Sequence, residues 1–192
     1  MRFTRMRTAR AAGAALVAIP LALGGLASQS HAQGASPSPS GTFGSGCSSI
    51  AQKASTAKDK VVEAAAAYPQ LSQLVAATVR AKLGSTLDGK PDITVFAPNN
   101  KAFQGITVSQ LSSLLGNEGQ LKKVLTYHVV DKKITPDQLS KGSFTTVEGS
   151  KLTTSGSGTD FKVNGKANIV CGNLQAANAT IYVIDSVLQP PS

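Results

Sequence analysis

The 192-residue sequence has no tryptophan, three tyrosines, two cysteines and two histidines. Arginine is scarce as well: Arg2, Arg5, Arg7 and Arg10 crowd the N-terminus, and Arg80 stands alone beyond them. Trp, Tyr and Arg dominate the energetics of tight protein interfaces, so any binding is expected to be weak, roughly micromolar or weaker. His31 lies in an N-terminal segment that is expected to be removed, which leaves His128 as the one imidazole. One histidine cannot build the usual zinc constellations, and Cys-x-x-Cys and His-Glu-x-x-His are both missing. So are Gly-x-Ser-x-Gly and Gly-x-Gly-x-x-Gly. No metal, no cofactor and no catalysis are expected. A Ser-His-Asp set using His128 and Asp185 would have to be assembled by folding, and nothing in the sequence supports it.

What is present begins with an export signal. Arg2 to Arg10 precede an uncharged stretch from Ala11 to Ala27, and Ser30-His31-Ala32 offers small residues at the two positions read by a signal peptidase. Residues 1–32 are therefore read as a signal peptide cleaved after Ala32. The alternative, a retained anchor, is weakened by Pro20, Gly24 and Gly25 in a run short of the ~20 apolar residues of a bilayer span. No cysteine lies near the cleavage site to carry a lipid. The remaining chain has 15 basic and 10 acidic residues, a charge of +5, with its lysines dispersed. Nucleic-acid readers cluster Lys and Arg with stacking aromatics, so no nucleic-acid partner is expected. A secreted or cell-wall-associated monomer with no membrane contact after processing is expected.

Residues 33–46 are rich in Gly, Ser and Pro and read as a disordered leader ahead of one domain at 47–191. Ile50, Ala54, Ala57, Val61 and Ala65 recur at helical spacing, which predicts a helix from Ser48 to Ala67. A second helix is predicted from Pro69, with Leu71, Leu74, Val75, Thr78, Val79 and Leu83 on its inner face and Gly84 as its stop. Ile93 to Ala97 reads as a strand ended by Pro98, which has no N–H for a ladder. Asn99 or Asn100 then caps a helical turn that returns Phe103 over Phe96, so both rings belong to the core. Thr107 and Gln110 have capping-box spacing, and Asn117 caps a helix that feeds the apolar run Tyr127 to Val130. Thr135-Pro136 starts a short turn. From Phe144 the period becomes two: strands are predicted at 144–147, 151–154, 160–163 and 167–171, with Asn164-Gly165 as a tight hairpin. Thr180 to Leu188 reads as a last strand buried on both faces. Helices followed by hairpins make this an α+β domain, with N-terminal helices packed on a mostly antiparallel sheet.

The strand-Pro-Asn-Asn-Lys-Ala-Phe corner at 93–103, the Tyr127-His128 pair and the terminal Ile184-Asp-Ser-Val-Leu-Gln-Pro-Pro stretch occur in this order in fasciclin domains. The chain resembles that family over about residues 47–191. Within the family it resembles the single-domain secreted immunogenic proteins of mycobacteria and other actinobacteria, which share a cysteine near the domain start and another in a Val-Cys-Gly stretch, here Val170-Cys171-Gly172. The resemblance implies adhesion or interaction at a cell surface or matrix, and it carries the Tyr-His pair of integrin-type adhesion onto Tyr127 and His128. No Arg-Gly-Asp is present.

Four expectations follow. Cys47 and Cys171, an even pair in an exported chain, form a disulfide; the alternative is a thiol nucleophile served by His128. His128, inside an apolar strand, is a hydrogen-bonded structural residue with Asp185 as its buried acceptor, unless Asp185 instead caps a turn. Lys122, Lys123, Lys132 and Lys133 flank the Tyr-His stretch and, if on one face, make a patch for an extracellular protein or an anionic glycan of the cell wall. Asn178-Ala-Thr180 fits an N-glycosylation site formally but is read as serving a turn before the last strand.

Overall fold

A computed structural model describes residues 41–50 and 56–191. The expected signal peptide, residues 33–40 of the leader and Ala54 lie outside the described residues. The domain opens with a single helical turn, α1 (Cys47–Ile50), and continues with α2 (Val61–Ala66), α3 (Ser72–Arg80) and α4 (Gly84–Asp88). Strand β1 (Ile93–Pro98) follows, then α5 (Asn100–Gln104), α6 (Val108–Gly116) and α7 (Glu118–Tyr127). The rest is sheet apart from a 3-10 turn at Pro136–Leu139: β2 (Val129–Val130), β3 (Lys141–Thr145), β4 (Lys151–Ser157), β5 (Asp160–Val163), β6 (Ala167–Gln175) and β7 (Ala179–Ile184). They line up as β2-β1-β7-β6-β5-β4-β3, antiparallel except for the parallel pair β1 and β7. The ends of the sheet curl toward each other, because Val130 bridges Thr146 and the Val147 N–H donates to Val129 O at 2.7 Å.

Every residue of β1 and β7 is buried. Side chains alternate across a strand, so these two strands serve two cores. Ile93, Val95, Ala97, Ile181 and Val183 face Leu71, Leu74, Leu121 and Leu125 of the helices. Phe96, Tyr182 and Ile184 face the hollow of the curled sheet, with Phe43, Phe144, Leu152 and Phe161. Phe96 stacks on Tyr182 with ring centroids 5.6 Å apart. Phe103 is buried as expected, but in the helical core, so Phe96 and Phe103 lie on opposite sides of the sheet.

Several sequence expectations change. Pro98 is the last residue of β1, opposite Ile184, and does not lie beyond the strand. The Phe96 N–H points toward β2 and donates to His128 O at 2.8 Å. Two residues on, the nitrogen of Pro98 faces the same side where β2 has already ended, so no ladder bond is lost. The first predicted helix is broken into α1, a 3-10 turn at Thr56–Lys58 and α2, with Ala57 exposed. The start of α2 is set from afar, since Asn178 Oδ1 accepts from Val61 N–H at 2.9 Å. A 3-10 turn at Pro69–Leu71 precedes α3, and Lys82 at φ 56 ends that helical path. Gly84 therefore opens α4 instead of closing α3. Val79 is 64% exposed and not part of the inner stripe. Strand β7 stops at Ile184, short of Leu188.

The predicted leader also gives up residues to the domain. Phe43 is buried, exchanges backbone hydrogen bonds with Gly172 at 3.2 and 2.8 Å, and packs edge-on against Phe161 at 5.3 Å. Gly172 has to be glycine here, because a Cβ would run into the Phe43 ring. The predicted caps form at Asn99, Asn117 and Thr107, the last with its reciprocal bond from Gln110. The Asn164-Gly165 turn joins β5 to β6 with φ of 51° and 66°.

Candidate functional site

Tyr127 closes α7 and His128 is its C-cap, so the Tyr-His pair sits at a helix end and not within a strand. The last carbonyls of a helix have no intrahelical partner. His128 Nδ1 takes one of them, Val124 O, at 2.7 Å, and the Leu188 N–H donates to Nε2 at 3.0 Å. These partners fix the neutral tautomer with its proton on Nδ1. The ring is 1% exposed, and burial pulls its pKa from 6.5 down to about 4. Tyr127 is 2% exposed; its hydroxyl donates to Lys151 O at 3.1 Å and accepts from Asn164 Nδ2 at 2.8 Å. The pair therefore pins α7 to β4, to the β5–β6 turn and to the C-terminal segment. Neither ring offers a surface to a partner, which corrects the expectation that Tyr127 and His128 are contact residues.

Asp185 is not the acceptor of His128. Its carboxylate accepts from Asn168 N–H at 2.8 Å and from Asn168 Nδ2 at 2.7 Å, tying the end of β7 to β6. Asn99 caps α5 by accepting from Ala102 N–H at 2.9 Å. Asn100, the other candidate cap, instead fastens this corner to α3: its Nδ2 donates to Pro69 O and Ser72 Oγ, each at 3.0 Å, and its Oδ1 accepts from Gln73 N–H at 3.1 Å. The Asn178 amide is similarly occupied, donating to Leu87 O at 2.8 Å and Lys90 O at 2.9 Å.

Cys47 and Cys171 are joined, with Cα atoms 4.8 Å apart and 124 positions between them in sequence. The bridge clamps α1 to β6 beside Phe43. With both sulfurs bonded to each other, the thiol-nucleophile alternative is removed.

The four predicted lysines are on the surface, but the structure does not gather them at a common hollow. Lys122 pairs with Glu118 at 3.0 Å along α7. Lys123 lines a hollow of about 500 Å³ between α6, α7 and the C-terminal segment, with Leu114, Val124, Val187 and Pro190. Lys132 lines a different hollow of about 500 Å³ at the seam between β2 and β3, its Nζ 5.0 Å from the centre of the Phe144 ring. Lys133 is exposed. Sequence reasoning passed over Lys141, Lys151 and Lys162, which the strand alternation turns outward. Their parity relative to Phe144, Leu152 and Phe161 was the available signal.

A third hollow, about 630 Å³, is lined by Ser45, Gln70, Asn100, Lys101 and Asp185 among others. None of these hollows contains a histidine, and among the described residues no group of His, Cys, Asp and Glu side chains could hold a metal ion. Also among the described residues, no helix is long and apolar enough to cross a membrane.

An α+β domain with a curled seven-stranded sheet, a helical layer on one side and its single described imidazole consumed by the backbone is the class that fold and site define. The Fasciclin domain family model matches residues 69–190, and the chain belongs to that family. It is 37% identical to the immunogenic protein MPB70 of Mycobacterium bovis over 191 residues, covering 95% of this chain and 93% of the relative. The cell surface glycolipoprotein MPB83 of the same species is 36% identical over 78% of this chain and 73% of its own length. A cyanobacterial relative, protein sll1483 of Synechocystis, is 39% identical over 74% of this chain and 79% of its own. Among solved structures, the FAS1 domain pair of the insect cell adhesion molecule fasciclin I superposes with a TM-score of 0.51 at 17% identity, over 64% of this chain and 46% of that one. That likeness establishes the fold alone.

Proposed function

We propose that this chain is an exported, non-catalytic interaction module that works in adhesion at a cell surface or in extracellular matrix. The observation that carries the reading is the state of His128: both ring nitrogens are bonded to backbone groups inside the domain, and the low pKa keeps the ring neutral near pH 7. A general base must reach the proton it removes. This imidazole reaches nothing outside the fold. The family and the relatives named for immunogenicity or a cell-surface location support the exported setting.

The Tyr127-His128 pair then acts as scaffold, holding α7 and the C-terminal segment so that the surfaces around them keep one shape. Contacts fall to exposed groups, and with neither Trp nor clustered Arg the monovalent affinity is expected in the micromolar range or weaker. A nanomolar partner found by titration would overturn that figure. Capture of envelope and matrix components by the chain, repeated at low and high salt, tests the module itself, and no capture at either salt would sink it. His128→Ala separates the classes: the interaction reading expects a lower melting temperature, whereas an enzyme would lose an activity with its melting temperature unchanged.

A second reading, a module for anionic cell-wall polysaccharide, is favoured by one observation: Lys141, Lys151 and Lys162 are exposed with no carboxylate within salt-bridge reach among the described residues.

A further inference from the structure

We propose that the outer face of β3, β4 and β5 is a docking surface for a linear anionic polysaccharide, held by Lys141, Lys151 and Lys162. This rests on the reading of the chain as an interaction module and assigns the surface and the ligand chemistry. Lys141 is paired with Ser155, Ser155 with Lys162, and Lys162 with Asn168. Residues paired across strands share a face, so these four form one row over β3 to β6. With neighbouring strands ~4.8 Å apart, Lys141 and Lys162 stand about 10 Å from each other at their Cα atoms. Lys151, opposite Thr145, is on the same face at the other end of β4.

Between the lysines lie Ser143, Thr145 and Thr153, all exposed, and no apolar or aromatic side chain. The opposite parity, Phe144, Leu152, Phe161 and Val163, is buried inside the curl. Acids stand at the margins: Asp160 at the β4–β5 turn, Glu148 in the β3–β4 turn accepting from Ser150 N–H, Asp131 beside Ser143 and Thr145 but paired with Lys90, and Asp185 beyond Asn168, its oxygens taken by that residue. The face thus presents spaced ammonium groups over a floor of hydroxyls and amides. Ammonium groups match sulfates or carboxylates, and the floor matches sugar hydroxyls. A neutral sugar or a base would need an aromatic ring to stack on, and a protein partner would need apolar anchors. The extended, uncovered strands fit a linear chain lying across them.

The test is titration of the full chain with sulfated dextran, with neutral dextran of equal length as the control, at several salt concentrations. Binding of the sulfated polymer alone, weakening as salt rises, is expected. The combined variant Lys141→Gln, Lys151→Gln, Lys162→Gln should lose about tenfold in affinity and show a flatter salt dependence. Lys122→Gln, Lys123→Gln, both on α7, should change it less than about twofold. Ser155→Glu, in the middle of the row, is the second probe should the triple variant melt early. Equal binding of neutral dextran, no binding by the wild type, or loss confined to the helix-side variant would overturn the proposal. A partner captured equally by the wild type and the triple variant would refute this face and leave the interaction module standing.

Discussion

The two halves of the sheet obey opposite rules. Strands β1 and β7 are buried along their whole length, with helices on one side and the rings of Phe43, Phe96 and Tyr182 on the other. Strands β3, β4 and β5 bury residues of one parity only, Phe144, Leu152, Thr154, Phe161 and Val163, and leave the other parity to water. The first half is packed on both faces inside the domain and presents no side chain to a partner. The second is inexpensive to alter on its outer face, since surface changes away from special features usually cost little. On the proposed reading, stability and recognition fall to different strands of one sheet, while the buried Tyr-His pair belongs with the first.

The widest gap between the halves should appear on truncating the shared core. Phe96→Ala removes a fully buried ring and should cost roughly 3–5 kcal/mol in urea unfolding, while Phe103→Ala, on the other side of the sheet, reports the helical core independently. A loss for Phe96→Ala no larger than that for an exposed site would break the comparison. Next comes the clasp: reducing the 124-position bridge between Cys47 and Cys171 should cost roughly 2–4 kcal/mol, read from melting with and without reductant.

Third is acid. The folded His128 has its pKa depressed from 6.5 to about 4, so the native state binds fewer protons than the unfolded chain below neutrality. Its contribution is complete above pH 6.5, is lost as pH falls toward 4, and amounts to about 3 kcal/mol in total. Subtracting the pH profile of His128→Gln from that of the wild type isolates this change, and parallel profiles would show that the ring titrates normally. Tyr127→Phe should be milder, roughly 1–2 kcal/mol, because it strands the Lys151 carbonyl and the Asn164 amide at a partly buried site. Smallest is Lys162→Gln, within about 0.5 kcal/mol, which marks the outer face as free of structural duty.

Much of the local architecture was legible. Asn99, Thr107 and Asn117 announced helix starts because a capping bond closes within three residues, and Asn164-Gly165 announced a hairpin for the same reason of range. What failed was set at a distance. The alanine-rich stretch read as one helix, yet Asn178, 117 positions away, decides where α2 begins. Phe43 looked like part of a Gly/Ser/Pro leader until Gly172 provided a strand to pair with and a gap for its ring. Asp185 and His128, adjacent in expectation because both sit in apolar runs, have separate partners.

Composition and spacing by themselves determined that this chain is of the α+β class, that it has two cysteines able to pair, and that it lacks the usual zinc and nucleophile motifs. They did so because these facts depend on residue counts and on bonds that close locally. Which lysines share a face, which side of the sheet each phenylalanine enters, and that Tyr127 and His128 are hidden were decided only by the tertiary structure. A strand's inward parity is arbitrary until another strand, brought from far along the chain, fixes the register against it.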